Sequence, residues 1–121
     1  MARLLPRSNW RELLRLLMRK RQRYQVAETS MLPTLKPGDT VLVQPLAPST
    51  AIASCDIVVA RHPSHPNLLL IKRVKEIFYD GGCYLISDNL AEPTAQDSRS
   101  FGVVAADQII GRVTSLFVSA P

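Results

Sequence analysis

The chain of 121 residues contains no long hydrophobic run. No stretch reaches the roughly 18 apolar residues that a membrane-spanning helix needs, because Arg15 and Arg19 interrupt the most leucine-rich segment. The N-terminus also lacks the continuous apolar core and the small-residue cleavage site of a secretory signal. These absences predict a protein without a transmembrane anchor and with a cytoplasmic location.

Cysteine and histidine are also scarce, with two of each. Cys55 and Cys83 do not have the spacing of a metal site or a redox pair, so they are predicted to be buried free thiols. His62 and His65 lie in a proline-flanked segment that predicts an exposed loop. This setting disfavours a histidine-based catalytic triad or a metal site, and we expect neither a metal nor a cofactor.

Positive charge is concentrated at the N-terminus. Residues 1–24 contain eight basic residues and one acidic residue (+7), whereas the rest of the chain has seven basic and nine acidic residues (−2). The basic segment is either a solvated helix face or a docking surface for an acidic partner, nucleic acid or anionic lipid. We therefore divide the chain into a basic N-terminal helical arm, residues 1–24, and a β domain, residues 25–121.

Hydrophobic periodicity predicts one helix followed by several strands. Apolar residues recur at helical spacing over residues 9–22, where Asn9 can cap the first turn and Glu12 can complete a capping box. Segments rich in Val, Ile, Leu and Tyr predict strands over 24–28, 39–44, 56–61, 68–79, 82–87 and 108–118. Segments 45–54 and 88–100 are predicted loops. The expected fold is mostly β, behind a basic amphipathic N-terminal helix.

Two residues in this arrangement suggest nucleophilic catalysis. Ser30 ends a predicted strand before a proline-constrained turn, where its hydroxyl can lie beside free backbone N–H groups. Strand alternation puts Lys72 in an apolar stripe with Leu70, Val74 and Phe78. Burial there lowers the pKa of the amine, so that the neutral form can accept the serine proton. Taken singly, a serine before a turn is usually structural, and a strand lysine usually reaches solvent.

Several short motifs, in order, resemble the type I signal peptidase family. They are Ser30-Met31-Leu32-Pro33-Thr34-Leu35, Gly38-Asp39, Lys72-Arg73, Asp88-Asn89 and Asp97-Ser98-Arg99-Ser100-Phe101-Gly102, followed by Ile110-Gly111-Arg112. The resemblance covers about residues 26–113. It implies the coiled β-sheet fold of signal peptidases and the activity of a serine endopeptidase.

The resemblance also implies roles for individual residues. It makes Ser30 the nucleophile and Lys72 the general base, with the Ser30 backbone N–H in the oxyanion hole and Met31 beside the substrate groove. It makes three further residues structural charge partners: Arg73, Asp97 and Arg99.

The sequence departs from the family pattern at several places near the predicted site. The late motif reads Ser87-Asp88 where the family has Gly-Asp, and it has two additional residues before Asp97. Glu28 stands where some members have a serine that assists the oxyanion hole. No serine lies two positions before Asp97, since Ala95 is there. The residue that orients Lys72 and the second oxyanion donor are therefore not assigned.

A short chain without an anchor and with a basic helix is similar to one branch of this family, the maturation proteases of nickel-type superoxide dismutase. Segments 6–14 and 56–63 also resemble that branch. The resemblance implies that the partner is a nickel superoxide dismutase precursor, from which an N-terminal propeptide is removed. Cleavage would expose a new terminal amine that can bind nickel with a nearby cysteine.

Two other functions compete with this interpretation. A self-cleaving repressor-type domain would share the Ser/Lys chemistry, but it needs a DNA-binding domain and an Ala-Gly cleavage site upstream of the serine, and this chain has neither. A non-enzymatic module would bind nucleic acid or a membrane surface through the basic arm. We expect no nucleic acid partner and at most peripheral contact with a membrane.

Overall fold

Six antiparallel strands form one sheet in the computed structural model, which describes residues 5–47, 51–91 and 96–121. The predicted basic arm, the loop at 45–54 and the polar segment at 88–100 each include residues outside the described ones, namely 1–4, 48–50 and 92–95. Ala95 is among them, so its predicted place beside the site is not described. The expectation of a mostly β fold is confirmed.

The strands lie close to the positions that the sequence predicts. They are β1 (Gln22–Gln25), β2 (Thr40–Pro45), β3 (Ile57–Arg61), β4 (Leu69–Ile77), β5 (Cys83–Ile86) and β6 (Ile109–Val118). Their order across the sheet is β1-β2-β6-β3-β4-β5. Every strand predicted from the sequence overlaps one of these, with the largest displacement at β1.

Both faces of the sheet are covered by apolar packing. In β3, Ile57 and Val59 belong to one buried cluster, whereas Val58 and Ala60 belong to a second. Because successive strand residues point to opposite faces, β3 is buried on both sides. This two-sided burial creates a water-poor interior next to β4, the strand that contains Lys72.

Close packing also explains one glycine of the last strand. Gly111 in β6 lies opposite Pro45 of β2. A Cβ atom at Gly111 would lie 2.5 Å from Val43 Cγ1 and 2.6 Å from the Gln44 backbone oxygen. Only glycine lets β2 and β6 approach this closely.

The helices are short. They are α1 (Trp10–Leu17) and α2 (Ser98–Phe101), with a 3-10 turn at Ala106–Gln108. Asn9 caps α1 by accepting a hydrogen bond from the Glu12 backbone N–H, as predicted. The Glu12 side chain does not complete the capping box, because it turns toward β6 and accepts from Thr114 and Ser115 instead.

The helix predicted over residues 9–22 ends early, at Leu17. Arg19 adopts a left-handed backbone conformation with φ of 62°, and residues 22–25 form β1, paired with β2. Like charges four residues apart, such as Arg15, Arg19 and Arg23, disfavour continuing the helix, whereas strand pairing satisfies the backbone of 22–25. The division of the chain at residue 24 stays a prediction, and β1 crosses it.

Candidate active site

Ser30 and Lys72, 42 positions apart in the sequence, meet inside the protein. Lys72 Nζ donates a hydrogen bond to Ser30 Oγ over 2.8 Å, and the two residues are 1% and 5% exposed. Ser30 follows the segment around Val26, which pairs with the Gly38-Asp39 turn through backbone hydrogen bonds. β4 holds Lys72 opposite Val58 of β3. Strand pairing thus holds Lys72. Loop backbone hydrogen bonds hold Ser30, including one from the Asn89 N–H to the Ser30 carbonyl oxygen over 2.8 Å.

The surroundings of Lys72 favour a neutral amine. Burial lowers the pKa of Lys72 below its ordinary value of 10.5. The negative charges of Glu28 and Asp97 raise it, and the positive charge of Arg99 lowers it, but burial has the largest effect. When the amine is uncharged, Ser30 Oγ–H can donate to the Nζ lone pair along the same contact, as a general base requires.

Ser87 is a second partner of Lys72 that sequence reasoning missed. Lys72 Nζ donates to Ser87 Oγ over 3.2 Å, and Ser87 is fully buried just after β5. The Ser87 backbone N–H donates to Asp97 Oδ2 over 2.9 Å. The only signal in the sequence was its place directly before the Asp88-Asn89 motif. Ser87 thus supplies a hydroxyl contact to Lys72, although no serine lies two positions before Asp97.

Asp97 and Arg99 form an ion pair beside Ser87. Arg99 Nη2 lies 2.8 Å from Asp97 Oδ2, and Asp97 also caps α2 by accepting from the Arg99 backbone N–H. Burial raises the pKa of Asp97, but the hydrogen bonds from Arg99 and Ser87 outweigh it and lower that pKa to about 2. Asp97 therefore stays ionised at neutral pH and holds the backbone of Ser87 in place.

Arg73 points away from Lys72, as strand alternation predicts, but it is buried as well. Its guanidinium binds both carboxylate oxygens of Asp88, at 3.1 and 2.8 Å, and donates to the Cys55 backbone oxygen over 2.8 Å. Thr34 Oγ1 donates to Asp88 Oδ2 over 2.6 Å. Asp88 thus connects the strand of Lys72 to the turn that follows Ser30. Arg73 is paired with Asp88, and Asp97 with Arg99.

The apolar stripe predicted around Lys72 is only partly present. Leu70 and Val74 are buried, at 4% and 1% exposure. Phe78 lies beyond the end of β4 at Ile77. A register shift between Val74 and Glu76 also breaks the alternation on which the prediction for Phe78 relied.

A cleft of about 180 Å³ opens beside the Ser30–Lys72 contact. Two segments line it, residues 24–28, which begin in β1, and residues 68–72, which enter β4 at Leu69, together with Ser30, Met31 and Val59. Met31 itself is buried beneath the cleft. Glu28 is the acidic residue of the lining. An extended peptide can be held between two backbone segments of this kind.

The histidines lie apart from this cleft. The prediction of an exposed loop is wrong for His62, which is 5% exposed. The Ser64 backbone N–H donates to His62 Nδ1, so in the neutral ring Nε2 carries the proton and donates to Gln96 Oε1 over 2.8 Å. The ring also packs edge-on against Phe101. These contacts with Gln96 and Phe101 give His62 a structural role.

The two cysteines differ in their burial. Cys55 and Cys83 are free thiols, as predicted, but only Cys83 is fully buried, and burial raises the pKa of its thiol. Among residues 5–47, 51–91 and 96–121, no cluster of three His, Cys, Asp or Glu side chains could hold a metal ion.

Comparison with known proteins adds a family to this geometry. The model of the family described as Peptidase S24-like matches residues 19–114, which include every residue of the site above. No curated protein matches the chain. In the described ranges, none of the helices is long and apolar enough to span a bilayer.

Proposed function

Because the chain belongs to the Peptidase S24-like family, we propose that it is a serine endopeptidase with a Ser30–Lys72 dyad. The observation that carries the proposal is the 2.8 Å contact between Lys72 Nζ and Ser30 Oγ, in a site where burial lowers the pKa of the amine. A hydroxyl next to a buried amine, at the edge of a cleft, is the arrangement that activates a serine nucleophile.

The proposed reaction begins with proton transfer from Ser30 Oγ to the neutral Lys72 Nζ. Oγ attacks the scissile carbonyl carbon, the carbon–nitrogen bond breaks, and the leaving amine takes the proton from Nζ. Lys72 then deprotonates a water molecule that hydrolyses the Ser30 ester, which releases the acid and restores the hydroxyl. The Ser30 backbone N–H is the proposed oxyanion donor, since it adjoins the attacking atom.

Substrate binding is proposed to take place in the cleft between residues 24–28 and 68–72. An extended peptide there can pair with backbone on both sides, and Met31 packs beneath it. Ser87, Asp97 and Arg99 hold the lysine end of the site, and Arg73 with Asp88 holds the serine end.

The substrate that we propose is a precursor protein with an N-terminal propeptide, in particular a nickel superoxide dismutase precursor. The support is the resemblance of residues 6–14 and 56–63 to the maturation proteases of that enzyme. A cytoplasmic location, without a nucleic acid partner, belongs to the same proposal.

The dyad is tested by cleavage of such a precursor with single substitutions. Ser30→Ala and Lys72→Ala should each lower kcat/KM by at least about a thousandfold, because nucleophile and base act as a unit. The matched controls Ser100→Ala and Lys75→Ala change exposed residues and should leave kcat/KM unchanged. If Lys72→Ala cleaves at the wild-type rate, Lys72 is not the general base. If the wild-type enzyme does not cleave the precursor, the proposed substrate is wrong.

Self-cleavage is the second candidate, because the Peptidase S24-like match also fits self-cleaving domains. Incubation of the purified protein alone, followed by intact-mass measurement, separates the two functions. A processing peptidase keeps its mass of 13.4 kDa. A self-cleaving domain shortens, and Ser30→Ala stops the shortening.

A further inference from the structure

Helix α1 turns its apolar side away from the protein. Four large apolar residues at helical spacing share one face, and all are exposed: Trp10 69%, Leu13 45%, Leu14 48% and Leu17 73%. Met18, directly after the helix, is 55% exposed. A surface helix normally buries this face against the core. These four residues form the α1 apolar face. The described part of the chain leaves this face exposed to solvent.

Polar contacts fix this orientation. Glu12, on the side of α1 opposite the apolar face, is the buried residue of the helix. Its carboxylate accepts from Thr114, from Ser115 over 2.8 Å and from Arg21 over 3.0 Å. Backbone hydrogen bonds from Ser8 to Leu116, and from Leu116 to Pro6, hold the chain before the helix. The apolar face is thus held outward by the sheet itself.

Exposed cations surround the same helix. They are Arg7, Arg11, Arg15, Arg19, Lys20 and Arg23. Arg11 stacks on the Trp10 ring at 5.4 Å, which keeps a guanidinium at the edge of the apolar face. Two copies of this surface would repel each other, since each would bring the same excess of positive charge.

From this combination we infer that α1 lies in the surface of an anionic lipid bilayer. Trp10 and the three leucines would enter the boundary between headgroups and acyl chains, and the arginines would contact lipid phosphates. Tryptophan is favoured at that depth because one end of its ring is apolar and the other hydrogen-bonds. The positive charge around α1 attracts an anionic bilayer and repels a second copy of the chain, so charge complementarity favours the bilayer. A flat apolar strip also needs no partner of complementary shape.

The test uses the full chain and vesicles of phosphatidylglycerol mixed with phosphatidylcholine, with vesicles of phosphatidylcholine alone as the comparison. Trp10 is the only tryptophan, so its fluorescence reports directly on the helix. We expect co-sedimentation with the mixed vesicles and a blue shift of Trp10 emission, both weakened by added salt. Phosphatidylcholine alone should bind far less.

Substitutions identify the surface responsible. The double variant Leu13→Ser and Leu17→Ser keeps the fluorescent probe and should weaken vesicle binding by at least about tenfold, since it removes two of the inserted side chains. The matched control is Leu90→Ser, at a leucine that is 69% exposed, close to the 73% of Leu17, but lies far along the chain from α1. It should bind as wild type.

Three results would overturn the inference. One is no shift of Trp10 emission with the mixed vesicles at low salt. Another is equal binding to both vesicle types, which would remove the role of the cations. The third is a concentration-dependent dimer in sedimentation velocity that Leu17→Ser abolishes, which would make a second copy the occupant.

Discussion

At the scale of single residues, Lys72 experiences opposing influences that together determine its protonation. Burial disfavours the ammonium form, and so does the nearby charge of Arg99. Glu28 and Asp97 favour it. Asp97 is committed to Arg99 and Ser87, but Glu28 lies exposed at the cleft wall. Glu28 is therefore the part of this balance that can be changed without disturbing the fold.

Glu28→Gln should move the acid limb of the pH profile of kcat/KM toward lower pH. Activity requires neutral Lys72, so it rises with pH through the pKa of that amine; removing a negative charge lowers this pKa further. The measurement is precursor cleavage across the pH range at low salt. Glu76→Gln, which removes an exposed charge from β4, the strand of Lys72, should leave the limb in place. If the acid limb of Glu28→Gln stays at the same pH or moves to higher pH, the electrostatic account is contradicted.

Ser87→Ala should lower kcat by roughly tenfold to a hundredfold with KM unchanged, because the lysine loses the contact that orients it toward Ser30. Ser98→Ala is the matched control. It removes another buried serine hydroxyl, which accepts from the Leu85 backbone N–H. A stability loss alone would affect both variants. Equal kcat values in the two would mean that Ser87 does not position Lys72.

At the scale of secondary structure, the short helix α2 is connected to the site by Asp97, the residue directly before it. Asp97 caps α2, pairs with Arg99 and accepts from the Ser87 backbone N–H. One carboxylate thus holds α2 and the end of β5 together. Since it is fully buried, its charge is stable there only because these contacts compensate for the loss of water.

The stabilising effect of Asp97 should disappear in acid. Its pKa is lowered to about 2 in the folded protein, from 3.8, so its contribution is complete above pH 4 and is lost as pH falls toward 2. At pH 6, Asp97→Asn should lower the free energy of unfolding by roughly 2 kcal/mol. Urea unfolding of both proteins at pH 6 and near pH 2 tests this; the gap should narrow in acid. A gap of constant size would show that the charge is not responsible.

The sequence predicted elements better than it predicted contacts. Segments rich in Val, Ile, Leu and Tyr were enough to locate six strands, because these side chains fit the pleated, partly buried surface of a sheet. They could not show that residues 22–25 leave the helix, since that depends on pairing with β2. Ser87 was missed because its contact with Lys72 depends on the β4–β5 register, in which Arg73 lies opposite Ile86. The burial of His62 depends in the same way on Phe101 and Gln96, distant in sequence.

At the scale of the whole molecule, three distant segments must converge for the proposed dyad to exist. They are the turn that contains Ser30, strand β4, which is next to the edge strand β5, and the segment at Asp88 that follows β5. Asp88 joins all three, since Arg73 lies next to Lys72 and Thr34 lies four residues after Ser30. The ion pair of Arg73 and Asp88 is also buried, with both side chains 6% exposed. Stability and alignment of the site should therefore depend on the same carboxylate.

Asp88→Asn should reduce both properties together. An uncompensated arginine would remain in the interior, so the free energy of unfolding should fall by about 3 kcal/mol in urea titrations. Cleavage by the folded fraction should also slow, because the turn of Ser30 loses a tie to β4. Asp107→Asn changes an exposed carboxylate and should alter neither. If Asp88→Asn loses stability but cleaves normally once folded, Asp88 holds the fold alone, and the alignment of Ser30 with Lys72 comes from the sheet without it.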